Sequence, residues 1–144
     1  MKVLLDTSVL LAALVRAHPR HADARPWLAR ARAGEIGMVV AAHTLAELHA
    51  TLTTLPVRPR ISPETAARLR DDNLPDTAEI VALSADDYRS VIRHVVELGL
   101  AGGVVYDALI ARVAENARVD RLVTLNEADF RRAWPAGADR ITSP

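Results

Sequence analysis

The chain has 144 residues, half of them apolar, with 18 basic and 18 acidic side chains and no cysteine. That length suits one domain with a real core, and the missing cysteines exclude disulfides and thiolate metal sites. No apolar run reaches the roughly 18 residues of a membrane span, and an acid at position 6 breaks the first apolar run as no secretory leader would, so a cytoplasmic protein without membrane contact is expected.

Zero net charge removes the global basic field that marks many nucleic-acid binders. All but one of the basic residues are Arg, a side chain suited to phosphate. A codon bias toward Arg, Ala and Pro is the simpler explanation.

In chain order, "KVLL" reads as a buried strand and "TSVLLAALV" as a helix. "RHADARPWLARARAG" reads as a second helix ending at Gly34, with Trp27, Leu28 and Ala31 on one face. "EIGMVV" is a second strand. "HTLAELHATLTTL" spaces Leu45, Leu48, Leu52 and Leu55 as a helix does, and Pro56 ends it. After a Pro-rich turn, a helix starts with Ser62 as N-cap and Pro63 in its first position.

"AEIVALS" is a third strand, followed by a helix capped by Ser84 and closed by Gly99. "GGVVYDALIARVAENA" is a helix entered through two glycines, "DRLVTLN" a fourth strand, "EADFRRAW" a short helix and "DRITS" a short last strand. Strands separated by helices argue an α/β fold with a parallel sheet, in which ligands bind beyond the carboxyl ends of the strands.

Four acids fall near that predicted edge: Asp6, Glu47, Asp107 and Asp129. Each has a simpler reading alone. Asp6, Asp107 and Asp129 sit near helix starts, where carboxylates cap amides or meet the dipole, and Glu47 suits a solvated helix flank. Together they say more, because "GGVVY" sets Asp107 in apolar surroundings with close backbone access. Converging carboxylates repel, and a divalent cation relieves that repulsion. An all-oxygen donor set suits Mg²⁺ or Mn²⁺, ions that serve phosphodiester hydrolysis.

The set "LLDTSVLLA", "TLAELHATL", "YDALIARVA" and "LVTLNEADF" resembles the PIN-domain family, and within it the VapC-type toxins of toxin–antitoxin pairs. The resemblance runs from residue 2 to about residue 142. It implies a three-layer α/β/α domain with a five-stranded parallel sheet of order 3-2-1-4-5. It also implies a Mg²⁺- or Mn²⁺-dependent endoribonuclease that leaves a 5′-phosphate and a 3′-hydroxyl. Asp6 and Asp107 match the family's main metal ligands, and Glu47 matches its ligand or water-orienting acid. Asn126 stands where many relatives carry Asp, so Asp129 is expected to supply the fourth charge, directly or through water. Thr7 and Ser8 match the small hydroxyl residues after the first acid, placed to hold Asp6 or a phosphate or simply to cap the helix. The implied partners are an RNA substrate, a cognate antitoxin laid across the active groove, and a second copy of the chain in a homodimer.

Other features are weighed beside these. Five histidines invite metal-free acid–base cleavage, with His18 and His21 near Arg16 and Arg20, but they are scattered as surface residues are. "RRAW" offers Arg131, Arg132 and Trp134 as a base-stacking grip, against the plainer reading of a buried Trp beside solvated arginines. Two rivals from other classes remain. One is a catalytically silent PIN-like module that binds RNA or protein. The other is a phosphatase with Asp6 as nucleophile, although Ser8 occupies the place of its usual partner acid.

Overall fold

Alternation along β1 (Lys2–Leu5) sets up the architecture. Val3 and Leu5 enter one hydrophobic cluster and Leu4 the other, as the period of two in a strand requires. The computed structural model describes residues 1–144 and places β1 at the centre of the sheet. β2 (Gly37–Ala41) and β3 (Glu79–Val81) lie to one side, and β4 (Arg121–Val123) and β5 (Ile141–Thr142) to the other. All pairings are parallel and the order is β3-β2-β1-β4-β5, as the resemblance implies.

Helices cover both faces. On the Val3 side, α1 (Thr7–Leu14), α2 (His21–Arg32) and α3 (Ala42–Thr54) contribute Val9, Leu10, Leu28, Leu48 and Leu52, and α4 (Pro63–Asn73) packs on α3. On the Leu4 side, α6 (Val104–Asn116) and α7 (Glu127–Ala133) bring Ile110, Val113 and Phe130. α5 (Ala85–Glu97) rests on α6 through Val91 and Val95. No helix is long and apolar enough to cross a membrane.

The expected caps are present. The Ser62 hydroxyl accepts the Thr65 amide. Ser84 and Asp87 exchange hydrogen bonds in a capping box, and Asp87 also takes Arg112 of α6, so the cap fixes α5 to its neighbour. Gly34 and Gly99 follow their helices with φ of 73° and 66°, a conformation that favours glycine.

The strands are shorter than the sequence suggests. β2 begins at Gly37, not Glu35, because the Glu35 amide still bonds the Arg30 carbonyl at the end of α2. β3 keeps only three residues, since it lies at an edge with one neighbour. A 3₁₀ helix at Pro135–Arg140 has no counterpart in the sequence reading. Within it, Gly137 lies flat against the Trp134 indole, where a Cβ would collide with the ring.

Gly137→Ala is therefore expected to destabilise the fold by about 1–3 kcal/mol through overpacking, read as a lowered Tm with a blue- or red-shifted Trp134 emission. An unchanged Tm would mean that the indole swings aside without cost.

Candidate active site

Asp6 ends β1 and stands at the N-cap of α1, yet its side chain makes no capping hydrogen bond. Its backbone amide bonds the Val123 carbonyl and so extends the β1–β4 ladder. The carboxylate is instead held by two hydroxyls, Ser8 at 2.7 Å and Thr124 at 2.9 Å, both donating to Oδ2. Those hydroxyls are fixed in turn: Ser8 accepts the Leu125 amide and Thr124 accepts the Asn126 amide. Asp6 is 5% exposed, so its neutral donors matter.

Glu47 lies on the second turn of α3 and faces the same crevice. Its Oε2 is buried with no hydrogen-bond donor. His43, one turn earlier, has Nε2 3.3 Å from that oxygen but not in hydrogen-bonding alignment. Burial, then the charge of Asp6, raises the Glu47 carboxyl above its ordinary range, against smaller opposing effects of His43 and Thr7. The Thr7 hydroxyl donates to Thr44 and ties α1 to α3.

Asp107 enters from the first turns of α6. Its carboxyl is pushed up to about 7, by burial first and then by the charges of Asp6, Asp129 and Glu47, with Arg132 opposing. Three other acids thus act on one. Asp129 behaves oppositely: the Asn126 amide and then the Arg132 guanidinium, 3.0 and 2.6 Å away, hold it below the usual carboxylate range. The Asn126 amide nitrogen reaches Asp107 as well, at 3.4 Å. The four acids come from four elements, all at the carboxyl edge of the sheet, but no three of them already surround a common point as a closed cation cage would.

A domain model described as "PIN domain" matches residues 3–134. The chain belongs to the PIN-domain family. On its VapC branch, Ribonuclease VapC27 of Mycobacterium tuberculosis is 36% identical over 116 residues, covering 81% of this chain and 79% of that protein. Ribonuclease VapC40 of the same species is 35% identical and covers 78% of each. Among solved structures, the Rickettsia felis VapBC2 complex bound to a promoter DNA fragment shares the fold, with a TM-score of 0.65, 21% identity and coverage of 99% and 98%.

In this PIN domain, the structure brings Asp6, Glu47, Asp107, Asp129 and Asn126 into one neighbourhood. For two other features of the sequence the structure supports the plainer readings. "RRAW" is no exposed grip, because Trp134 is buried, Arg131 is spent on Glu127 and the carbonyls of Ala138 and Ile141, and Arg132 is spent on Asp129. His18 and His21 serve local structure, the first accepting the Arg20 amide and the second bonding the Ala12 carbonyl. The sequence reading missed Thr124, Arg132 and His43 as neighbours of the acids. Each carried a signal: Thr124 is the hydroxyl that ends the β4 run just as Asp6 ends β1, and His43 and Arg132 stand at i,i+4 and i,i+3 spacing from Glu47 and Asp129 on their helices.

The raised Asp107 carboxyl sets a pH dependence. Its ordinary value is 3.8, so at pH values between that and about 7 the folded protein keeps a proton that the unfolded chain has lost. That contribution to stability is full at the acid end and lost as pH rises through 7. Glu47 acts with the same sign. In chelator, the Tm is expected to fall from about pH 5 to about pH 8, and Asp107→Asn to flatten that slope. Parallel slopes in the two proteins would show that the carboxylates do not act on one another.

Proposed function

We propose that this PIN domain is a metal-dependent endoribonuclease, the toxin half of a toxin–antitoxin pair. One observation carries the reading: Thr124 joins the Asp6 carboxylate to the Asn126 loop, the Asn126 amide reaches both Asp107 and Asp129, and Glu47 keeps a buried oxygen with no donor, so acids from distant parts of the chain meet at one edge of the sheet. The relatives named ribonuclease at 35–36% identity support RNA as the substrate. The neighbours solved as toxin–antitoxin complexes, alike in fold, support an antitoxin partner. A homodimer is part of the same proposal.

The residues present fit a hard divalent cation, Mg²⁺ or Mn²⁺. The donor set is all oxygen, and the buried Glu47 Oε2 lacks any donor to satisfy it. Asp6 and Asp107 would hold the ion directly, with Glu47 and Asp129 reaching its waters. Such an ion keeps several waters, which suits acids that do not already close on one point. When bound, the cation supplies an acidified water and positive charge against the phosphoryl transition state.

The chain's own groups do the rest. Ser8 and Thr124 fix the direction of the Asp6 lone pairs. Asp107 would have to be ionised to hold the cation. Glu47 Oε2 is free to accept the proton of the attacking water. Arg132 and Asn126 keep Asp129 ionised and in place. Water oxygen bonds phosphorus as the P–O3′ bond breaks, the water's proton passes to Glu47 and the departing 3′ oxygen takes a proton from solvent, giving a 5′-phosphate and a 3′-hydroxyl.

The silent binding module is the second reading, and it predicts that added metal changes neither stability nor RNA cleavage. The Asp6-nucleophile phosphatase loses ground, because Ser8 spends its hydroxyl on Asp6 where a partner acid would stand.

Single-stranded RNA labelled at one end separates these readings. Cleavage is expected with Mn²⁺, abolished by chelator, and reduced on the order of 10²-fold or more in Asp6→Asn and Asp107→Asn with the fold retained. Cleavage that ignores chelator and both substitutions would sink the proposal; no cleavage by the wild-type chain across structured and unstructured RNAs would favour the silent module.

A further inference from the structure

The acid crevice has an aromatic rim that the proposed chemistry does not use. The chain holds two Trp, two Tyr and one Phe. Phe130 and Trp134 are buried, and Trp27 packs on the core beneath Arg30. The two tyrosines stay exposed, Tyr88 at 41% and Tyr106 at 53%, and both gather at one histidine. The Tyr106 ring lies parallel to His43, with centroids 5.6 Å apart and planes 3° apart. Tyr88 and His43 share a small apolar cleft of about 100 Å³ with Val81, Leu83 and Leu109.

This stack joins the acids at two points. His43 touches Glu47 across 3.3 Å, and Tyr106 directly precedes Asp107 on α6. Packing alone is a weak account of Tyr106, since more than half of it meets water. His43 backs one face of the ring and fixes its plane, so the other face is a preset flat surface. The electrostatics call for such a surface. Four acids at the crevice repel a polyanion, the arginine nearest them is spent on Asp129, and the chain has no net positive charge to draw RNA in. Stacking on a π face is a neutral contact, open to any unpaired base.

We propose that the His43–Tyr106 stack is a nucleobase-binding subsite. An unpaired base of single-stranded RNA, next to the phosphate engaged by the acids, lies on the open face of Tyr106. The register of that base against the scissile phosphate rests on the nuclease reading above; the stacking itself does not. Duplex RNA, with its bases sequestered, is excluded from the subsite.

The test uses a short single-stranded oligoribonucleotide carrying one 2-aminopurine, whose fluorescence is quenched by aromatic stacking. It is mixed with protein in chelator, and with Mg²⁺ in a stopped-flow instrument before turnover. Wild type and Tyr106→Phe are expected to quench; Tyr106→Ala and Tyr106→Leu, the latter keeping apolar bulk without a π face, are expected to lose the quench and bind about tenfold more weakly. With Mn²⁺, Tyr106→Ala is expected to raise KM by a similar factor and leave kcat near wild type. Equal quenching and affinity in all four proteins, or no quench by wild type in either condition, overturns the subsite. A chain that quenches through Tyr106 but cleaves no RNA overturns the nuclease reading and keeps the subsite. A chain that cleaves with an unchanged KM in Tyr106→Ala does the reverse.

Discussion

Like charges gathered in a half-dry crevice repel, and the crevice of this protein is arranged around that repulsion. The burden is unevenly shared. Asp6 receives two hydroxyl donors, and Asp129 receives an amide and a guanidinium. Asp107 gets only a long contact from Asn126, and the inner oxygen of Glu47 gets no donor. Asp129 is thereby anchored as an anion, while Glu47 and Asp107 carry the cost of the cluster as raised proton affinity. A cluster balanced in this way is tolerable to a fold of ordinary stability only while protons or cations can enter it.

The sheet order explains how the acids meet. The chain leaves β1 for one side, building β2 and β3, then crosses to the other side for β4 and β5. The end of β1 is therefore where the connections diverge, and a crevice opens there in folds of this kind. Asp6 sits at its mouth. Glu47 comes from the helix after β2, Asp129 from the helix after β4, and Asp107 from the helix that precedes β4. Thr124 closes the arrangement from the end of β4, and its hydroxyl links Asp6 to the loop that presents Asn126. The parallel topology and the Thr124 hydroxyl thus do one job at two scales: they bring residues far apart in the chain to one edge and hold them in register.

Much of this was legible in the sequence because it is written locally. A charge that halts an apolar run, as at Asp6, marks a strand end, and Ser84 ahead of a helical pattern announces a cap. Strand order followed from a resemblance, since no local pattern states which side β4 takes. The partners of the acids were not legible. Arg132 faces Asp129 because the two lie three residues apart on the "EADFRRAW" helix, a pairing that many exposed i,i+3 charges share, and His43 meets Tyr106 across 63 positions of chain (106 − 43). "RRAW" came out on its plainer reading, a buried Trp beside solvated arginines, because the 3₁₀ helix that follows folds back over Trp134 and offers the Ala138 carbonyl to Arg131.

Asn126 shows how one neutral residue tunes the whole crevice. Its amide nitrogen donates to Asp129 and reaches Asp107, while its backbone amide is tied to Thr124. A carboxylate in its place would offer no proton to either neighbour and would add a charge beside Asp107, whose carboxyl already stands at about 7. The amide therefore acts as a clamp, drawing Asp129 toward Asp107 without deepening the repulsion. It also lowers the negative charge available to cations on that side of the crevice. A second ion would find there only Asp129, already paired with Arg132. On the proposed nuclease reading, a cation would therefore fall to the Asp6–Asp107 side rather than to Asp129.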